Sequence, residues 1–145
     1  MRGLLQRVEK ASVSVNGTVI GSIDTGILLL LGIEKQDNEV SAVRLLNKVL
    51  HYRVFSDEQD KMNLSLQNVG GGLLVVSQFT LVADTRKGLR PGFSAGASSE
   101  QGRQLYDVFV QKAKLMHSRV ETGAFGADMK VSLINDGPVT FMLKA

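Results

Sequence analysis

Ser77, Gln78 and Thr80 set two hydroxyls and an amide directly after an apolar run, Leu73–Val76. That run is too short for a buried helix and branched enough for a buried strand, with Gly70–Gly72 marking its start. Polar groups at the end of a rigid strand are held in a geometry that a free loop cannot fix, which suits a binding or catalytic site. The plainer reading makes them strand-end residues that hydrogen-bond the next turn. Arg86, Lys87 and Arg90 follow on a glycine- and proline-broken stretch, Asp84–Gly92. Such cations either decorate a solvated loop or contact phosphates, a role that needs no base specificity. A substrate with its reactive end near residues 77–80 and a polyanionic body outside would use both groups. Gly137-Pro138 is the third feature. It serves as a simple turn, or as a fixed pair of carbonyls pressed against a ligand, with a cis peptide as one option.

Other chemistries find less support. A Ser-His-Asp triad needs an imidazole, and only His51 and His117 are present. Both fall at the ends of expected helices, where the helix dipole favours a histidine. Two histidines without cysteines or clustered carboxylates make a poor metal site. Asp57 and Asp60 begin like a calcium loop but lack its glycine and closing glutamate. A site without metal or cofactor is expected. Cysteine is absent, which removes thiolate and disulfide chemistry and suits a cytoplasmic location.

Several elements must position these residues. Leu4, Leu5 and Val8 predict an opening strand. Ser12–Val15 alternates, meets Asn16-Gly17 and resumes at Thr18–Ile20, the pattern of a hairpin with a type I′ turn. Ile27–Leu31 reads as a strand buried on both faces. From Asn38 the period becomes helical, with Val40, Val43, Leu46, Val49 and Leu50 as the apolar stripe. Tyr52–Phe55 is a short strand candidate and 57–63 a charged loop. Ser98 or Ser99 caps a second helix, whose stripe is Leu105, Val108, Phe109, the stem of Lys112, Ala113 and Met116. Met129–Ile134 and Val139–Leu143 read as strands joined by a turn at 135–138. The expected fold is α/β: one domain over 1–145, a mixed, largely antiparallel, barrel-like sheet and two main helices.

Composition sets limits. A chain of 145 residues, 43% hydrophobic and 21% charged, can bury a genuine core. No apolar run approaches the ~20 residues of a membrane span, and residues 1–10 lack the plan of a signal peptide. The net charge of +3 is compatible with an anionic partner without identifying one.

Leu5-Gln6-Arg7-Val8, Ser77-Gln78-Phe79-Thr80-Leu81, Arg86-Lys87-Gly88-Leu89-Arg90-Pro91 and Asn135-Asp136-Gly137-Pro138-Val139-Thr140 together resemble the D-aminoacyl-tRNA deacylase family. The match runs in order from first residues to last, at matching length; Gly92 departs from it, where a serine is expected. The resemblance implies a homodimer that hydrolyses the ester between a D-amino acid and the tRNA 3′ end, and glycine mischarged on tRNA(Ala) as well. It implies that Gly137 and Pro138, across a cis bond, reach into the partner subunit's pocket. There their carbonyls meet the substrate amino group and leave no room for an L side chain. Arg7 would hold that loop, and Phe125 and Met129 would pack the terminal adenine, though both also read as core residues. Arg86, Lys87 and Arg90 would contact tRNA.

Alternation along a strand puts Ser77, Phe79 and Leu81 on one face and Gln78 and Thr80 on the other. A bend near Gln78 is therefore expected, freeing the backbone N–H groups of Phe79 and Thr80 as an oxyanion hole beside Ser77 and Gln78. Thr80 as nucleophile lacks an identifiable base. Attack by water assisted by the tRNA 2′-hydroxyl is the alternative, which the resemblance favours. A reading of another class is a non-catalytic nucleic-acid-binding dimer whose footprint is the Arg86–Arg90 loop.

Overall fold

Strand β1 (Arg2–Val15) is the element on which the sheet is built, in a computed structural model that describes residues 1–145. It turns through Asn16 and Gly17, both at positive φ (50° and 78°), into β2 (Thr18–Ile23). These are the backbone angles a type I′ turn demands, so the hairpin expectation is met. Next come β3 (Gly26–Gly32), α1 (Glu39–His51), β4 (Phe55–Ser56), β5 (Met62–Leu64) and the one-turn α2 (Leu66–Val69). The chain closes with β6 (Gly72–Ser77), α3 (Ser99–Met116), β7 (Val120–Thr122) and β8 (Lys130–Lys144).

One edge of β1 pairs antiparallel with β3 over its first half and with β2 over its second. Its other edge pairs with β8 from end to end. Beyond β3 the sheet continues in parallel through β6 and β7. It then curls until β2 lies against β7, where a Cβ on Gly21 would meet the Thr122 carbonyl at 2.5 Å. The result is the expected mixed, nearly closed, barrel-like sheet. Leu5, Ile27, Leu29, Leu31, Leu73 and Val75 are buried beneath α1 and α3. Val8, Ala11, Val13, Leu28, Leu74 and Val76 fill the inside of the curl. Strands β3 and β6 are thus apolar on both faces, as central parallel strands must be.

Both main helices form where expected, α1 after the change of period at Asn38 and α3 after the predicted Ser98 cap. Asn38 and Ser41 exchange side-chain-to-backbone bonds at the start of α1, and the Ser98 hydroxyl accepts from Gln101 N–H at the start of α3. Their buried faces need correction. In α1 the core side chains are Ala42, Leu45, Leu46, Val49 and Leu50; Val40 is exposed and Val43 half-buried. In α3 Tyr106 is buried, while Val108 is half-buried and Met116 exposed. The strand expected at 52–55 is only Phe55–Ser56, and the 57–63 loop includes the start of β5, which pairs with it.

The larger correction concerns the C-terminal strands. Residues 135–138 do not reverse the chain. β8 runs straight through them and stays antiparallel to β1, with Val8 opposite Asn135 and Gln6 opposite Thr140. Only Arg7 lies between the β1 partners, so the four residues Asp136–Val139 opposite it are looped out as an enlarged bulge. A turn signal is local; what decides the outcome is that β1 offers hydrogen-bond partners on both sides of it.

Candidate active site

Where the parallel strands β3 and β6 end side by side, with Leu31 in register with Ser77, a cleft of about 540 Å³ opens. Gln78 N–H still donates to the Leu31 carbonyl at 2.8 Å. The chain then leaves the sheet at Gln78 (φ −143°, ψ 85°) for a 3₁₀ turn, Phe79–Val82. This is the expected bend. No side chain caps the turn, and its first bond runs from Leu81 N–H to the Gln78 carbonyl at 3.2 Å. The N–H groups of Phe79 and Thr80 lie ahead of that bond, where a helix start has no carbonyl of its own to offer. Two donors on a rigid strand end, beside a cleft, are suited to binding a developing oxyanion.

The Gln78 amide nitrogen donates to Thr80 Oγ1 at 2.6 Å. An amide donor withdraws density from that oxygen, and no imidazole lines the cleft. His51 bonds the Asn47 carbonyl at 2.8 Å, and buried His117 bonds the Gly71 carbonyl at 2.7 Å. Both histidines serve helix ends and neither is placed to activate a hydroxyl.

Ser77, Gln78, Phe79, Phe125 and Met129 all line the cleft. Phe125 is fixed from behind: its ring lies 5.7 Å from that of Tyr106, and the Arg103 guanidinium sits 5.0 Å from its centroid. Met129 Sδ accepts from Ala124 N–H at 3.4 Å. The start of α3, against which Phe125 packs, also lines the cleft and is held against the 33–37 turn. Ala97 N–H donates to the Ile33 carbonyl (3.0 Å), and the Gln101 side chain reaches the Lys35 and Asp37 carbonyls (3.0 and 3.2 Å). Sequence reasoning missed Ser98, Ser99 and Asp128, which also line the cleft. Ser98 is legible only as a helix cap, and Asp128 only as a neighbour of Met129, because nothing local says that 97–99 and 125–129 line one cleft.

Arg7, Gly137 and Pro138 come together, but not at this cleft. From its position opposite the bulge, Arg7 donates through Nε to the Asp136 carbonyl at 2.9 Å and through Nη1 to the Val54 carbonyl at 2.7 Å. Gly137 has φ 139°, and a Cβ there would crowd Val139 at 2.7 Å and the Arg7 guanidinium at 3.1 Å. The Gly137-Pro138 peptide is cis, and both residues are exposed. Arg86, Lys87 and Arg90 ride on a loop whose neck is closed by two bonds between Asp84 and Gly92, 2.7 and 2.9 Å. They do not line the cleft either. Arg86 makes a two-pronged contact with Asp84 (2.9 and 2.7 Å). The bonds that Arg86 gives hold the Asp84 carboxyl well below the usual carboxylate range, and Asp84 in turn raises Arg86. Lys87 and Arg90 have no carboxylate within ion-pair distance.

Comparison with known proteins fits this geometry. The family model described as D-Tyr-tRNA(Tyr) deacylase matches residues 4–144. A curated D-aminoacyl-tRNA deacylase from Pseudoalteromonas atlantica is 64% identical over 143 residues, covering 99% of each chain. One from Teredinibacter turnerae is 60% identical over the full length of both. Among solved structures, one titled "c-Myc DNA Unwinding Element Binding Protein" superposes with TM-score 0.96 at 37% identity, covering 100% of this chain and 99% of that one. A probable eukaryotic D-amino acid tRNA deacylase shares the fold, with TM-score 0.87 at 18% identity and coverage of 99% and 98%. With its motifs, full-length relatives and fold in agreement, the chain belongs to the D-Tyr-tRNA(Tyr) deacylase family.

Proposed function

We propose that this chain is a D-aminoacyl-tRNA deacylase acting in translation quality control in the cytoplasm, and that the cleft at the ends of β3 and β6 is its active site. The observation that carries this reading is the break at Gln78, which leaves the Phe79 and Thr80 N–H groups without helical acceptors beside the cleft. The ester carbonyl docks on these two donors, and the negative charge that develops on its oxygen during attack strengthens both bonds. Ser77 and Gln78 line the pocket, and Phe125 and Met129 pack the terminal adenosine. Water attacks with help from the neighbouring 2′-hydroxyl of the tRNA, because the Thr80 hydroxyl is occupied by Gln78 and has no base. Arg86, Lys87 and Arg90 approach the phosphates, with Lys87 and Arg90 the more available.

Chirality is read by a second copy of the chain. The Gly137-Pro138 bulge is exposed and stands away from its own cleft. Ile134, Phe141 and Met142 expose apolar surface along the same strand. In a homodimer this bulge enters the partner's cleft, and its carbonyls take the substrate amino group. Swapping D for L exchanges hydrogen and side chain at one carbon, and a main-chain wall held by Arg7 cannot yield to the larger group. Glycine has no side chain to reject, so glycyl-tRNA(Ala) is also a substrate.

The competing reading is a non-catalytic nucleic-acid binder whose footprint is the Arg86–Arg90 loop, in line with the DNA-binding name of one structural relative. Purified protein mixed with D-Tyr-tRNA in the presence of a chelator separates the two. Release of free D-tyrosine and intact tRNA supports the deacylase; retention of tRNA with its ester intact refutes it and leaves the binder.

A further inference from the structure

Two exposed aromatic rings stand beside the cleft. Phe79 and Phe93 expose 69% and 46% of their surface, yet their rings pack on each other at 5.2 Å between centroids. Both are fixed by backbone. Phe79 opens the 3₁₀ turn, and Phe93 follows Gly92, the residue bonded to Asp84 at the neck of the cationic loop. The pair therefore stands between two things already described. On one side is the cleft, which Phe79 itself lines; on the other is the loop that carries unpaired Lys87 and Arg90. Exposed aromatic rings beside free cations are the combination with which proteins hold single-stranded nucleic acid, bases on rings and phosphates on cations.

We propose that Phe79 and Phe93 form a stacking platform for an unpaired nucleotide preceding the terminal one, while Lys87 and Arg90 meet the phosphates that flank it. The inference rests on the deacylase reading, since it takes the esterified nucleotide to occupy the cleft. It assigns the platform a different role: holding the strand that leads into the cleft. The charge of the loop matches a polyanion, and its continuity with the cleft matches a strand whose last residue is bound there. Phe93 is the informative position, because it lies outside the cleft and contributes no group to the reaction.

The test compares Phe93→Ala and Phe93→Trp with the native chain on two substrates: D-tyrosyl-tRNA, and D-tyrosyl-adenosine, which has only the terminal nucleoside. Native hydrolysis of both esters is the control; its absence would defeat the deacylase reading itself. The expected result is that F93A raises KM for D-tyrosyl-tRNA by about 5- to 100-fold with kcat little changed. It leaves D-tyrosyl-adenosine unaffected, and F93W restores the tRNA value. An equal loss on both substrates would overturn the platform, as would no loss on either. Sedimentation of the same variant gives the last arm: a change in oligomeric state would mean that the pair is an interface between copies, and would also overturn it.

Discussion

At the scale of single residues, the account places catalysis on backbone groups rather than on a side-chain nucleophile. Phe79→Pro removes one N–H from the first position of the 3₁₀ turn, where proline is accepted and where Gln78 before it (ψ 85°) already lies outside the helical region. Compared with Phe79→Ala, it should lower kcat by a further factor of about 10²–10³, roughly 3–4 kcal/mol. Thr80→Ala keeps its N–H and loses only the hydroxyl bonded to Gln78. It should cost no more than about ten-fold, the worth of one such bond; a collapse to background would restore Thr80 as nucleophile. Single-turnover hydrolysis of D-Tyr-tRNA by the three variants measures both effects. Arg7 acts through the bulge, tying Asp136 to Val54. Arg7→Ala should raise hydrolysis of L-Tyr-tRNA more than it lowers that of the D-ester. Arg7→Lys should rescue only in part, because an ammonium on a flexible stem cannot span both carbonyls as the planar fork does.

At the scale of elements, α3 is tied to β6 by buried Tyr106, whose hydroxyl donates to the Val75 carbonyl at 2.9 Å. Burial, with a smaller push from Asp107, raises its ionisation from the ordinary 10.0 to about 12. A raised value means the folded state prefers the neutral phenol. The stability it gives is whole below about pH 10 and is lost as pH climbs towards 12, by about 2–3 kcal/mol. Urea midpoints recorded from pH 8 to 12 should show this alkaline decline in the native chain and a shallower one in Tyr106→Phe, which starts about 1 kcal/mol less stable.

The same scale shows what sequence could reveal. Asn16-Gly17 and the Ser98 cap were legible because turn and cap chemistry is local. The α1 stripe is only partly legible, because apolar Val40 stays exposed while Ala42 and Leu45 take the buried places beside Leu46, Val49 and Leu50. Residues 135–138 carry every mark of a reversing turn, and only the presence of β1 alongside makes them a bulge. The break at Gln78 was legible from strand parity once the family resemblance put Ser77–Thr80 at one pocket. Ser98, Ser99 and Asp128 were not legible as site residues, since their place in the cleft depends on how distant segments meet.

At the scale of the whole molecule, the account divides one site between two copies of the chain. Phe79→Pro spoils the cleft and leaves the bulge. Gly137→Val spoils the bulge, because its Cβ would crowd Val139 and Arg7, and leaves the cleft. Each homodimer should discriminate or turn over poorly, while mixed and re-equilibrated chains should regain about a quarter of native D-specific activity. Half the dimers would then be hybrids, each with one complete site. No recovery in mixtures shown to exchange subunits would place both functions in one chain. Electrostatics belongs here as well: Lys87→Ala should weaken tRNA binding across sequences and reduce the logarithmic salt slope by about 1.

The central claim is that an ester-hydrolysing cleft works against a rigid wall that admits only one hand. Rates on D-Tyr-tRNA and L-Tyr-tRNA, measured side by side with the purified chain, test it most directly. The account predicts rapid loss of the D-ester and an L-ester that decays no faster than in buffer. Equal loss of both would preserve the ester chemistry and contradict the assignment of chirality to Gly137-Pro138.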